Sequence, residues 1–279
     1  MAEARGGAEG PTAVAVAQFA PGDDEESNLE SIRRLAEDAA SRGALLVVFP
    51  EYSSYFTPGL GPDWIEHGQS LHGPFVRGIG EIARELGIHV VAGMIELIPG
   101  DEDRIANTVV AVGPDGEVVA KYRKIHLFDA FGTRESDRIM AGAVWEPENA
   151  PTFAFGGFTV GLQTCYDVRF PEVTRRLVDA GADLVVLPSE WLRGPLKEHH
   201  WRTLVTARAI ENTVYVAAAD HAPPIGAGNS MVVDPMGVEL VTVGEATDVA
   251  VAWISPKRVA EVRHVNPALK LRRFRVEPR

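Results

Sequence analysis

Cysteine is almost missing from this chain: Cys165 is the only one among 279 residues. A lone thiol cannot close an internal disulfide, and neither a CxxC pair nor a Cys/His finger spacing occurs, which excludes a disulfide scaffold and a structural zinc site. Basic residues are also scarce. With 27 Lys and Arg against 39 Asp and Glu, the formal net charge is -12. That balance argues against nucleic acid or an anionic membrane surface as a partner, because both reward clustered cations. No apolar run approaches the roughly 18 residues that span a bilayer, so no membrane crossing is expected. Neither GxSxG nor a Walker sequence is present, so serine-esterase and nucleotide-hydrolase chemistry have no starting point. The opening MAEARGGAEGPT has no basic stretch leading into an apolar one. It reads as a disordered tail over residues 1–11, ahead of one domain over 12–279 in a cytoplasmic protein that acts on a small molecule.

Apolar runs of strand length alternate with helical patterns, which points to an α/β class. TAVAVAQF (12–19), ALLVVF (44–49) and HVVAGMIEL (89–97) are the strand-like runs of the first half. Leu29, Ile32, Ala36 and Ala39 predict a helix over 25–42, with Gly43 as its cap. Pro74, Phe75, Ile79, Ile82 and Leu86 predict another, stopped by Gly87. The order of elements then recurs. AVAVAQF, a helix and LLVVFPE (45–51) are matched by FTVGLQTC (158–165), a helix from Pro171 to Gly181 and DLVVLPSE (183–190). Each half continues into a hairpin, over 106–122 and 228–243, turning on Pro-Asp-Gly and Asp-Pro-Met-Gly. Two mixed β-sheets packed face to face with helices outside, related by internal pseudo-symmetry, account for this recurrence better than one doubly wound sheet.

Sites in such folds gather at the C-terminal ends of strands. Glu51 follows LLVVFP, Cys165 follows FTVGLQT, and Lys124 stands just past a hairpin strand in KYRKIHLFD. A thiol with an ordinary pKa of about 8.5 is mostly un-ionised at neutral pH, so a carboxylate must take its proton as it attacks a carbonyl. Glu51 fits that role. The oxyanion then needs fixed positive charge, for which Lys124 and the Tyr166 backbone N–H are the candidates. Returning the proton to a departing nitrogen lets Glu51 act twice. His199 and His200 are adjacent rather than on one helical face, so they read as helix-start or pocket residues and no metal is expected. Trp201, Leu204, Val205 and Ala209 follow helical spacing and read as core.

FPE at 49–51, YRKIHLF at 122–128 and CYDVRFPE at 165–172 resemble, in order and spacing, the three signature segments of the nitrilase superfamily of carbon–nitrogen hydrolases. The resemblance runs from about residue 12 to 275. It implies an α-β-β-α sandwich, a Glu51-Lys124-Cys165 triad assisted by Glu135, no cofactor, and a homodimer or higher homo-oligomer formed through the helix after the cysteine and the C-terminal tail. WLRGPLKEHHW and VRHVNPALKLRRF are similar to the branch of deaminated glutathione amidases and omega-amidases. That branch implies an amidase acting through a cysteine thioester on deaminated glutathione or a similar 2-oxo dicarboxylic acid amide. Omega-amidase, N-carbamoyl amidohydrolase and nitrilase activities on the same triad are the alternatives, and a silent scaffold is the alternative from another class. Tyr166, Glu190 and Trp191 are candidate pocket residues. An anionic substrate asks for a cation, for which Arg169, Arg193 and Lys197 all qualify.

Overall fold

Alternation along the strands sets the layers. The computed structural model describes residues 10–278, so most of the expected tail, residues 1–9, lies outside the described residues. The first half runs β1 (Thr12–Gln18), α1 (Glu25–Ser41), β2 (Leu46–Val48), α2 (Asp63–Glu66), α3 (Pro74–Leu86), β3 (His89–Leu97), β4 (Ile105–Val112) and β5 (Val118–Arg123). The second runs β6 (Thr152–Phe155), β7 (Phe158–Leu162), α4 (Pro171–Asp179), β8 (Leu184–Ser189), α5 (Lys197–Asn212), β9 (Tyr215–Asp220), β10 (Met231–Val233), β11 (Glu239–Thr242), β12 (Asp248–Ile254) and α6 (Pro256–Val265).

Val14, Val16, Leu46 and Val48 point inward, toward Val160, Leu162, Leu184 and Val186 of the second half. Their neighbours Ala15, Ala17 and Val47 point outward, onto Ile32, Leu35 and Ala39 of α1 and Phe75, Ile79 and Ile82 of α3. Both faces of these strands are buried, which is why they read as continuous apolar runs. Burying each such aliphatic side chain contributes about 1.5–3 kcal/mol. On the other sheet, α4 covers β7 and α5 covers β9 and β10, giving the α-β-β-α order.

The sheets have strand orders β12-β1-β2-β3-β4-β5 and β11-β10-β9-β8-β7-β6. In each, a central parallel trio (β1, β2, β3 and β7, β8, β9) is flanked by antiparallel strands. The halves therefore match strand for strand, and the expected pseudo-symmetry is present. The one break in order is at the edge: β6 precedes its partner β7 directly, whereas β1 takes β12 from the far end of the chain, tying the two ends together.

Helix ends follow their sequence signals. Asp24 accepts the Ser27 N–H at 2.7 Å as the cap of α1. Pro74 opens α3 and Gly87 closes it in the left-handed region, at φ 67°. Helix α1 ends at Ser41 with Arg42 as its cap, one residue before the predicted Gly43, which turns the chain at φ 91°.

Candidate active site

Parallel strands deliver their loops to one end of the sandwich, and the four predicted catalytic side chains meet there. Glu51 lies three residues past β2, and its position depends on β3. A Cβ built on Gly93 would stand 2.5 Å from the Glu51 Cα and 2.6 Å from the Tyr52 nitrogen, so only glycine lets the Glu51 backbone lie against that strand. His221, after β9, donates its Nε2–H to the Glu51 carbonyl at 2.7 Å. Burial pushes this imidazole down to about 4. It is neutral at neutral pH, and with a carbonyl as partner its proton sits on Nε2.

The Glu51 carboxylate accepts three bonds: from Asn107 Nδ2 at 2.6 Å, from Lys124 Nζ at 3.0 Å, and from the Glu190 N–H at 2.7 Å. Lys124 also donates to Glu135 at 2.9 Å. Glu135 is held further by the Tyr52 hydroxyl at 2.7 Å and the Phe128 N–H at 2.5 Å. Burial alone would lower Lys124, but the carboxylates of Glu135 and Glu51 outweigh it and hold the ammonium well above its ordinary range. Lys124 therefore carries its charge at any pH at which the protein works.

Cys165 follows β7 and opens a short 3-10 turn, Cys165–Arg169, at φ 44°. This left-handed conformation is strained for any residue with a Cβ. It aims Sγ toward the Glu190 carbonyl, 3.6 Å away. Asp167 fixes the turn to the lysine segment. Its carboxylate accepts from the Tyr122 hydroxyl at 2.7 Å and binds His126 Nδ1 at 2.8 Å, and these two residues bracket Lys124. Burial pushes the Cys165 thiol well up; the Glu51 carboxylate adds to this and the Lys124 ammonium offsets part of it. The thiol is therefore protonated at neutral pH.

A cavity of about 570 Å³ opens onto this cluster. Cys165, Glu51, Lys124 and Glu135 form its floor, while Trp64, Phe56, Phe128 and Ile225 supply apolar wall. Of the predicted pocket residues, Tyr166, Glu190 and Trp191 line it. Glu190 brings its side chain into the cavity with Oε1 buried and unpartnered, and burial, with Glu51 nearby, raises its carboxyl well above the ordinary range. Arg169 stands behind Trp191, its guanidinium 4.8 Å from that ring, outside the lining. Arg193 corrects the sequence expectation. It turns to the surface, to Glu245 at 3.1 Å and Glu198 at 3.5 Å, because those carboxylates outcompete an apolar wall for an exposed cation. Lys197, the third cation named, reaches the cavity.

Asn107, Tyr52, His221, Asp167 and Gly93 escaped the sequence reading. Each is a single residue inside a strand or in the loop or turn that follows one, and only its neighbours across the fold give it meaning. Among the described residues there is no helix long and apolar enough to cross a membrane, and no cluster of three His, Cys, Asp or Glu that could hold a metal ion.

The sequence matches the carbon–nitrogen hydrolase family over residues 13–264. It is 38% identical over 262 residues to the deaminated glutathione amidase of Escherichia coli O157:H7, covering 94% of this chain and 97% of that one. The structure superposes on the Caenorhabditis elegans NitFhit protein with a TM-score of 0.86 at 31% identity, covering 95% of this chain and 66% of that longer one. It also resembles a mutant amidase from Nesterenkonia sp. AN1 whose active-site cysteine carries the acetamide moiety of fluoroacetamide, with a TM-score of 0.76 at 26% identity and coverage of 95% and 98%. With a family match across nearly its whole length and an α-β-β-α fold shared with these neighbours, the chain belongs to the carbon–nitrogen hydrolase family of the nitrilase superfamily and is a hydrolase of amides.

Proposed function

We propose that Cys165 is the nucleophile of an amidase that opens the amide bond of a 2-oxo dicarboxylic acid amide, deaminated glutathione or a close analogue, through a thioester. The observation that carries this reading is the buried contact of Glu51 and Glu135 with one ammonium, Lys124, beneath a cavity that also exposes Cys165. The relative named deaminated glutathione amidase supports the choice of substrate class.

A protonated thiol is a weak nucleophile, so attack is coupled to proton loss. The Cys165 proton passes to Glu51 as sulfur bonds to the amide carbon. The carbonyl electron pair moves to oxygen, where the Lys124 ammonium and the Tyr166 backbone N–H stabilise it without reorganising. Glu51 gives the proton to the amide nitrogen, the C–N bond breaks, and an amine or ammonia leaves the thioester behind. Water then loses a proton to Glu51 and attacks the same carbon. Collapse expels the sulfur, which recovers the proton. Glu135 holds Lys124 in place through both halves. No step calls for a metal or an organic cofactor.

The two protomers of a homodimer are a further part of this reading. It is supported by the apolar side chains that the tail leaves in solvent, Phe274 at 92% and Leu271 at 69% exposure. A cytoplasmic location completes it, since the single thiol must stay reduced to react.

The test is a product-resolved screen of deaminated glutathione, 2-oxoglutaramate, simple amides, N-carbamoyl amino acids and nitriles, with Cys165→Ala as the paired control. Release of 2-oxoglutarate from the first substrate, abolished in a folded Cys165→Ala protein, is the expected result. Turnover that survives in Cys165→Ala sinks the mechanism, and carbon dioxide as the product moves the activity to carbamoyl substrates.

A further inference from the structure

One wall of the cavity holds a charge that the chemistry at its floor does not use. Lys197 is the first residue of α5 and is only 8% exposed. Three cations line the cavity. Lys124 is saturated by Glu51 and Glu135, and Arg134 stands at the rim with 73% of its side chain in solvent, beside Asp137 at 3.6 Å. The Lys197 ammonium differs from both: among the described residues it has no hydrogen-bond or ion-pair partner, its contacts are aromatic, and the carboxyls of Glu190 and Asp220 act on it only at a distance. Its Nζ lies 4.6 Å from the Trp191 ring centre, 4.9 Å from that of Phe131 and 5.1 Å from that of Phe128.

The loop is built to put it there. Gly194 at φ 155° and Leu196 at φ 61° fold residues 192–197 back on themselves. The Trp191 indole N–H donates to the Lys197 carbonyl at 2.8 Å, locking the start of α5 onto the ring that faces the ammonium. Ring faces attract a cation but replace only part of its lost hydration. Burial accordingly lowers the Lys197 ammonium. A methionine or leucine would fill the same aromatic box without that penalty, so the aromatic packing alone does not account for the charge. An anion entering the cavity supplies the missing partner.

We infer that Lys197 binds the free carboxylate of the acid amide at the end remote from Cys165, and so sets the preference of this enzyme for anionic over neutral amides. The inference rests on the amidase reading above and adds to it the residue that selects the substrate class. Arg169 is the competing cation. Its guanidinium lies outside the lining, against the Trp191 ring and 3.4 Å from His200 Nδ1. It is a Lys197 neighbour that keeps the region positive rather than a group a ligand meets in the cavity.

The experiment compares glutaramate with glutaramide, which differ only in a terminal carboxylate or carboxamide. Lys197→Met, which keeps the stem and removes the charge, is expected to lower the ratio of kcat/KM for glutaramate over glutaramide at least tenfold, with the change in KM. Lys197→Gln is the second variant, and melting curves of both verify the fold. A ratio that stays within twofold of wild type overturns the inference while leaving the amidase reading intact. If wild type turns over neither compound, the amidase reading is decided by the substrate screen above, and calorimetric titration of Cys165→Ala decides the inference alone. There, glutaramate binding should weaken at least tenfold on adding Lys197→Met, and equal affinities overturn it.

Discussion

Strands β2 and β8 occupy the same place in the two sheets, and each runs through proline to a glutamate, Glu51 in one half and Glu190 in the other. The two carboxyls share a fold position and a cavity but not an environment. Glu51 meets an ammonium and two N–H donors, whereas Glu190 has no hydrogen-bond partner for its carboxyl, so burial shifts it toward the neutral acid. What Glu190 contributes near the thiol is backbone: its N–H donates to Glu51 and its carbonyl faces the Cys165 sulfur. The repeat supplies the strand ends, and the neighbours across the sheets decide which of them can act as a base.

Substituting each glutamate in turn separates the two most sharply. Glu51→Gln removes the proposed proton acceptor and should lower kcat by about 10³-fold or more, within the range typical of a general base. Glu190→Gln keeps both backbone bonds and the shape of the side chain, so its loss should stay below about tenfold. Steady-state kinetics on one amide measures both, and losses of equal size would break the comparison.

The next effect is on stability. Lys124→Met leaves Glu51 and Glu135 buried without their shared cation, and should cost about 3–5 kcal/mol in denaturant unfolding at neutral pH. Adding Glu135→Gln to that variant should recover part of the loss, since one of the two stranded charges is then gone. No recovery would show that the two carboxylates do not compete for the ammonium.

His221 sharpens the picture from the backbone side of Glu51. Its folded value of about 4 lies below the ordinary 6.5, so between these limits the unfolded chain binds the extra proton and the folded one does not. Its contribution is therefore fully present above pH 6.5 and is lost as pH falls toward 4, amounting to about 3 kcal/mol over that window. Unfolding free energies measured from pH 7 to 4 should show that decline in wild type and a shallower one in His221→Gln. Parallel slopes in the two proteins would remove His221 as the cause.

Much of this was legible in the chain. Both-face-buried strands read as apolar runs, so β1, β2 and β3 of one half and β7 and β8 of the other stood out, and Pro74, Gly87 and Pro171 marked helix ends through backbone constraints that act locally. The cluster of Glu51, Lys124 and Cys165 was legible because its three segments carry their reactive side chains in short contiguous stretches. The charge selection was not. Arg169, Arg193 and Lys197 are interchangeable as letters, and they differ only in whether surface carboxylates, a ring face or the cavity receives them.

The sequence by itself determined the layers, the paired halves and the identity of thiol, carboxylate and amine, because periodicity and residue chemistry are properties of the chain. The tertiary structure alone decided that Gly93 must lack a Cβ beside Glu51, that Asp167 ties the cysteine turn to Tyr122 and His126, and that Glu51 rather than Glu190 faces the ammonium. Those facts are distances between residues remote in sequence, set when the two sheets close on each other.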